Sequence, residues 1–142
     1  MRIYLDNCCF NRPFDDQAQL RIKLEAEAKL KVQEDIRSGI HELIWSYVLD
    51  YENSKNPFRE RQEQIGKWQK YAIVDVEASQ ALLEVANKIN LMEIKEFDSL
   101  HLACAVNAGA DCFLTTDDGI LKKVTLIESV KVTDPIGFIK EV

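Results

Sequence analysis

Four acidic residues stand where an α/β protein places its chemistry. Asp6 closes a hydrophobic segment that runs from Arg2 to Leu5, and Asp117 follows a second one, Cys112 to Thr116. Glu52 lies one helical turn past Val48, on the inward stripe of a helix for which Ser46 is the natural N-cap, while Asp50 falls on the other side with Ser46 and Ser54. Asp98 sits in the first turn of a helix whose interior, Leu100 to Val106, is nearly all apolar. Taken singly, each acid reads as well as a turn former or a helix cap. Brought to one crevice they mean something else, because clustered carboxylates repel one another unless a cation stands among them. Mg²⁺ and Mn²⁺ take hard oxygen ligands and leave positions to water and phosphate oxygens. Such a site hydrolyses phosphodiesters: the metal lowers the pKa of its bound water, polarises the phosphate and neutralises the leaving oxygen.

Other chemistries lack their residues. No GxxxxGK[ST], GxGxxG or GxSxG pattern occurs, and His41 and His101 are the only histidines, too few for a metal-free histidine ribonuclease. Cys8, Cys9, Cys104 and Cys112 contain no CxxC spacing, so the chain reads as a reduced, cytoplasmic protein. His101, Cys104 and Cys112 can be drawn as zinc ligands, but their apolar setting favours core packing. Lys+Arg 18 against Asp+Glu 24 leaves a net charge of −6, which excludes a broad positive field for nucleic acid but not a metal-loaded nuclease. No apolar run has membrane-spanning length, and the N-terminus reads as a strand interrupted by an acid rather than a signal peptide.

The elements that must position these acids form one domain over residues 1–142, with no linker or repeat. Strands are expected at Arg2 to Asp6, Glu42 to Trp45, Tyr71 to Val76, Asp111 to Thr115 and Val130 to Thr133. Helices are expected from Asp16 to Arg37, after Ser46, from Pro57 to Lys70, around Ala78 to Ile89, and from Phe97 to Gly109. In the first, Leu20, Leu24, Ala28, Val32 and Ile36 recur every four residues as the expected buried stripe, and Asp15-Asp16 suits its first turn. Strands separated by helices require crossover connections. The expected class is therefore α/β, a three-layer α/β/α sandwich with a mainly parallel central sheet of about four to five strands. Ligands of such sheets bind outside the carboxyl ends of the strands, where Asp6 and Asp117 lie.

The ordered blocks resemble the PIN domain, the small nuclease fold of VapC-like toxins. Tyr4-Leu5-Asp6-Asn7 resembles its opening strand and first metal-binding acid, and Ser46 to Glu52 is similar to its second block. Phe97-Asp98-Ser99-Leu100-His101-Leu102-Ala103 is similar to the third, and Phe113-Leu114-Thr115-Thr116-Asp117-Asp118 to the fourth. The likeness runs end to end, though Asn7 to Asp16 departs from the small-residue stretch usual after the first acid. It implies an endoribonuclease in which Asp6, Glu52, Asp98 and Asp117 hold Mg²⁺ or Mn²⁺ and a metal-bound water. It also implies Thr115 as a hydroxyl near metal or substrate, Asn7 as a hydrogen-bonder behind the acids, and Asp118 as a duplicate of the fourth acid.

An RNA substrate needs cations and stacking rings. Arg12, Lys55, Arg59 and Arg61 are candidates, with Phe58 and Trp68, although Arg59–Glu63 and Glu63–Lys67 also read as pairs on an ordinary solvated helix. The resemblance further implies a homodimer and a possible antitoxin partner, with no membrane. Two other readings stay open: a catalytically inactive RNA- or protein-binding module of the same fold, and an aspartyl phosphotransfer domain. The second lacks its Lys after a late strand and has Cys8 where a phosphatase needs Asp.

Overall fold

The computed structural model describes residues 1–124 and 127–141. Five strands, β1 (Arg2–Leu5), β2 (Glu42–Ser46), β3 (Ala72–Val76), β4 (Cys112–Leu114) and β5 (Lys131–Thr133), form one sheet in the order β3-β2-β1-β4-β5. Every pairing is parallel, as the crossovers require. The central strands are short apolar runs buried on both faces: Ile3, Tyr4 and Leu5, Leu43 to Trp45, and Cys112 to Leu114 are all core. Edge strand β3 instead alternates between more and less exposed positions.

Among the described residues the helices are α1 (Asn7–Asn11), α2 (Leu20–Arg37), α3 (Tyr47–Ser54), α4 (Arg59–Gly66), α5 (Gln80–Asn90), α6 (Glu96–Asn107), α7 (Asp118–Leu121) and α8 (Pro135–Glu141). Helix α2 links β1 to β2, α3 and α4 link β2 to β3, and α5 and α6 link β3 to β4. The chain builds outward from β1 in both directions, so the topological switch point falls between β1 and β4. That is where a doubly wound sheet opens a crevice. None of the described helices is long and apolar enough to cross a membrane.

Two expectations about the long helix are corrected. It starts at Leu20, not Asp16, because Asp15 accepts from Arg12 and Arg61 and Asp16 Oδ1 accepts from the Ala18 amide in a turn. Its buried face is Glu25, Ala26, Lys29, Val32, Gln33 and Ile36, while Leu20 and Leu24 are 70% and 44% exposed. A strict four-residue repeat overshoots each turn by about 40°, so a stripe from Leu20 to Ile36 winds around the helix instead of following one face. Both α2 and α6 end as glycine-terminated helices do, with Gly39 (φ +83°) and Gly109 (φ +69°) in the left-handed region. The short α1, α7 and α8 were not expected; each is only a turn or two long and carries no amphipathic period.

Candidate active site

Asp6 ends β1 with extended backbone and caps α1: its Oδ1 accepts the Asn7 amide at 2.8 Å. Thr115, just past β4, donates its hydroxyl to Asp6 Oδ2 at 2.8 Å and accepts the Asp117 amide at 3.1 Å. One threonine thus ties the first acid to the backbone of the fourth. The register that sets Leu5 beside Leu114 makes this possible.

Ser46 ends β2 and caps α3 by accepting the Leu49 amide at 3.1 Å, which swings Glu52 toward the same edge. Glu52 is met there by His101 of α6, whose Nε2 lies 2.5 Å from Glu52 Oε1 and 3.7 Å from Asp6 Oδ1. The other ring nitrogen lies 2.5 Å from the Tyr4 hydroxyl, which in turn meets Ser46 Oγ at 2.7 Å. Ser46, Tyr4 and His101 are fully buried. The acids facing His101 outweigh its burial and raise its pKa above the usual imidazole value.

Asp98, one turn before His101 on α6, completes the group. Burial, then the nearby charges of Asp6 and Asp117, push its carboxyl pKa up to about 6. Asp98 and Asp117 line one cavity of about 110 Å³, edged by Lys95 and Lys123. Asp117 Oδ1 accepts the Gly119 amide at 2.7 Å as the cap of α7. Asp118 points elsewhere: Arg21 donates to both of its oxygens, at 2.8 and 3.1 Å. Of the two adjacent acids, only Asp117 shares the cavity with Asp98.

No family model and no curated protein matches this chain. Solved structures do. A chain of VapBC2 from Rickettsia felis, crystallised bound to a DNA fragment from their promoter, superposes with a TM-score of 0.59 at 12% identity, covering 94% of this chain and 98% of that one. A chain of VapBC-1 from nontypeable Haemophilus influenzae gives 0.63 at 15% identity, covering 95% and 98%. The fold is theirs. At these identities the likeness extends to the fold alone, which is the five-stranded parallel α/β architecture expected from the sequence.

As they lie, no three His, Cys, Asp or Glu side chains among the described residues are spaced to grip one ion. The donor chemistry nonetheless suits a hard cation: Asp98 and Asp117 line one cavity, the charges of Asp6 and Glu52 act on Asp98, and Asn7 Oδ1 is a buried oxygen without a donor. Asn7 contacts Asp6 through its main-chain N–H, which donates to Asp6 Oδ1 at 2.8 Å.

The substrate cations expected from the sequence are largely committed elsewhere. Arg12 donates to the fully buried Glu25 at 3.1 Å and to Asp15 at 3.1 Å. Arg61 donates to Asp15 and to the Phe14 carbonyl and lies over the Phe58 ring, and Arg59 pairs with Glu63. Arg12 and Arg61 pin the segment after α1, the region that departs from the family pattern, against α2 and α4. Sequence reasoning missed Tyr4, Ser46 and His101 as a unit. The available signal was a histidine three residues past Asp98, on the same helix face, inside an otherwise apolar helix.

Proposed function

We propose that this chain is a metal-dependent endoribonuclease, the toxin member of a toxin–antitoxin pair, acting at the crevice of Asp6, Glu52, Asp98 and Asp117. The observation that carries this reading is that Asp98 and Asp117 face one cavity; burial, then the charges of Asp6 and Asp117, oppose ionisation of Asp98, and a divalent cation relieves that opposition. Asp6, Glu52, Asp98 and Asp117 would hold Mg²⁺ or Mn²⁺. When bound, the ion supplies a water of lowered pKa and charge for the leaving oxygen.

The chain's own residues orient that site. Thr115 fixes the Asp6 carboxylate, and the run Ser46, Tyr4, His101 fixes Glu52. Lys95 stands at the edge of the Asp98–Asp117 cavity, where an RNA phosphate would need a cation, beside Lys123, whose amine donates to the Met92 and Glu93 carbonyls. Pairing of two copies and capture by an antitoxin belong to the same proposal; sedimentation and co-expression test them. The inactive-module reading draws on one feature, that Asp6 and Glu52 are already engaged by protein donors.

The deciding experiment is cleavage of a mixed RNA pool by purified protein with Mn²⁺, with EDTA, and by the Asp98→Asn variant. Metal-dependent cutting that the variant loses establishes the carboxylate nuclease. No cutting, with no rise in melting temperature on adding Mn²⁺, overturns the nuclease and favours the binding module instead.

A further inference from the structure

We propose that the cleft between α2 and α4, which none of the four candidate acids lines, is a phosphate-binding site in which Lys29, Gln33 and Arg37 receive a phosphate monoester. These three residues are four apart on α2 and so form one stripe. They line a cavity of about 170 Å³ with Phe10, Gln64 and Trp68. That is several times the ~30 Å³ share of a water molecule.

The stripe holds donors without acceptors. Lys29 is 3% exposed, faces the rings of Phe10 at 5.0 Å and Trp68 at 6.0 Å, and meets no carboxylate among the described residues. Burial alone lowers its amine pKa to about 7. Gln33 is 4% exposed, and its Nε2 is buried with no acceptor. Arg37 lies 5.0 Å over the Trp68 ring and hydrogen-bonds to none of the described residues. The one acid of the stripe, Glu25, is taken by Arg12. No acid lines the cavity.

A buried, unbonded amide beside an amine that burial strips of its proton is costly, and an anion completes the amide and restores the ammonium. A carboxylate brings one charge and two oxygens. A phosphate monoester brings up to two charges and three free oxygens, which matches two cations and an amide, and charge-assisted bonds of this kind are the strong ones. The inference is independent of the nuclease reading, since it needs neither the metal nor the four acids.

Calorimetry on the full chain in EDTA, titrating inorganic phosphate, adenosine 5′-monophosphate and acetate at matched ionic strength, tests it. Saturable binding of phosphate or the nucleotide is expected, weakened about tenfold or more in Lys29→Met and in Gln33→Leu. In the wild-type protein, amide NMR shifts should centre on residues 29–37. A nucleotide that binds more tightly than inorganic phosphate makes the ligand a nucleotide or RNA terminus; equal affinities make it free phosphate. No saturable binding, equal affinity for acetate, unchanged affinity in both variants, or shifts centred elsewhere would each overturn the assignment.

Discussion

His101 holds Glu52 by one ring nitrogen and Tyr4 by the other, each at 2.5 Å. With Nε2–H donating to the carboxylate, Nδ1 accepts from the Tyr4 hydroxyl, and Ser46, which already accepts the Leu49 amide, donates to the Tyr4 oxygen. Two strands and two helices are joined by this buried run. Tyr4→Phe leaves a buried imidazole nitrogen without a donor and the Ser46 hydroxyl without an acceptor. It should cost about 1–3 kcal/mol in urea unfolding and lower RNA cleavage by loosening Glu52. Wild-type stability and rate in the variant would remove the run from the mechanism.

The pH dependence of stability follows from Asp98. Its folded pKa, about 6, lies above its unfolded value near 3.8, so the folded state holds the proton more tightly. The benefit is present below the unfolded pKa and lost as pH rises through about 6. His101, also raised, acts in the same direction at its own, higher value. In EDTA, thermal stability should therefore fall as pH is raised across this range. Asp98→Asn should remove the lower part of the fall, worth on the order of 1 kcal/mol after solvent screening. Added Mn²⁺ should reverse it. Calorimetric melts in EDTA and in Mn²⁺ provide the check.

Asp117 and Asp118 should separate cleanly. Asn caps a helix as well as Asp does, so Asp117→Asn keeps α7 folded while removing a carboxylate from the crevice; activity should drop about 100-fold or more. Asp118→Asn breaks only an exposed pair with Arg21 and should retain most activity. Single-turnover cleavage by the two variants decides between them, and the reverse ranking would mean that Asp118 turns inward.

Arg12→Ala should act on stability rather than on RNA. Its guanidinium answers the fully buried Glu25, which keeps only the longer contact of Arg21 at 3.4 Å once Arg12 is gone, a loss of about 1–3 kcal/mol. Denaturant unfolding should show that loss while KM for RNA is unchanged. A rise in KM without loss of stability would return Arg12 to the substrate.

The class of fold and the elements that carry the four candidate acids were legible because both rest on short-range pattern. Apolar runs such as Ile3-Tyr4-Leu5 and Cys112-Phe113-Leu114 can only be buried strands, and the helices between them dictate parallel crossovers. Asp6 and Asp117 then stand at strand ends whatever else happens. The cap at Ser46 was equally plain, because a serine between an apolar strand and a helix has one local use.

What only the tertiary structure decided are the partners of each side chain. That Asp118 belongs to Arg21, that Arg12 belongs to Glu25, and that Tyr4 reaches His101 across 97 residues of sequence are long-range choices. The face that α2 buries is of the same kind. Its stripe of Glu25, Lys29 and Gln33 reads as solvated by composition, yet it lies inside because Arg12, Phe10 and Trp68 come to meet it. Local sequence determines where the chain bends, caps and alternates, since those energies act within a turn or two. Which polar groups satisfy one another is decided by the packing of distant elements, where an unpartnered buried group costs more than any local preference supplies.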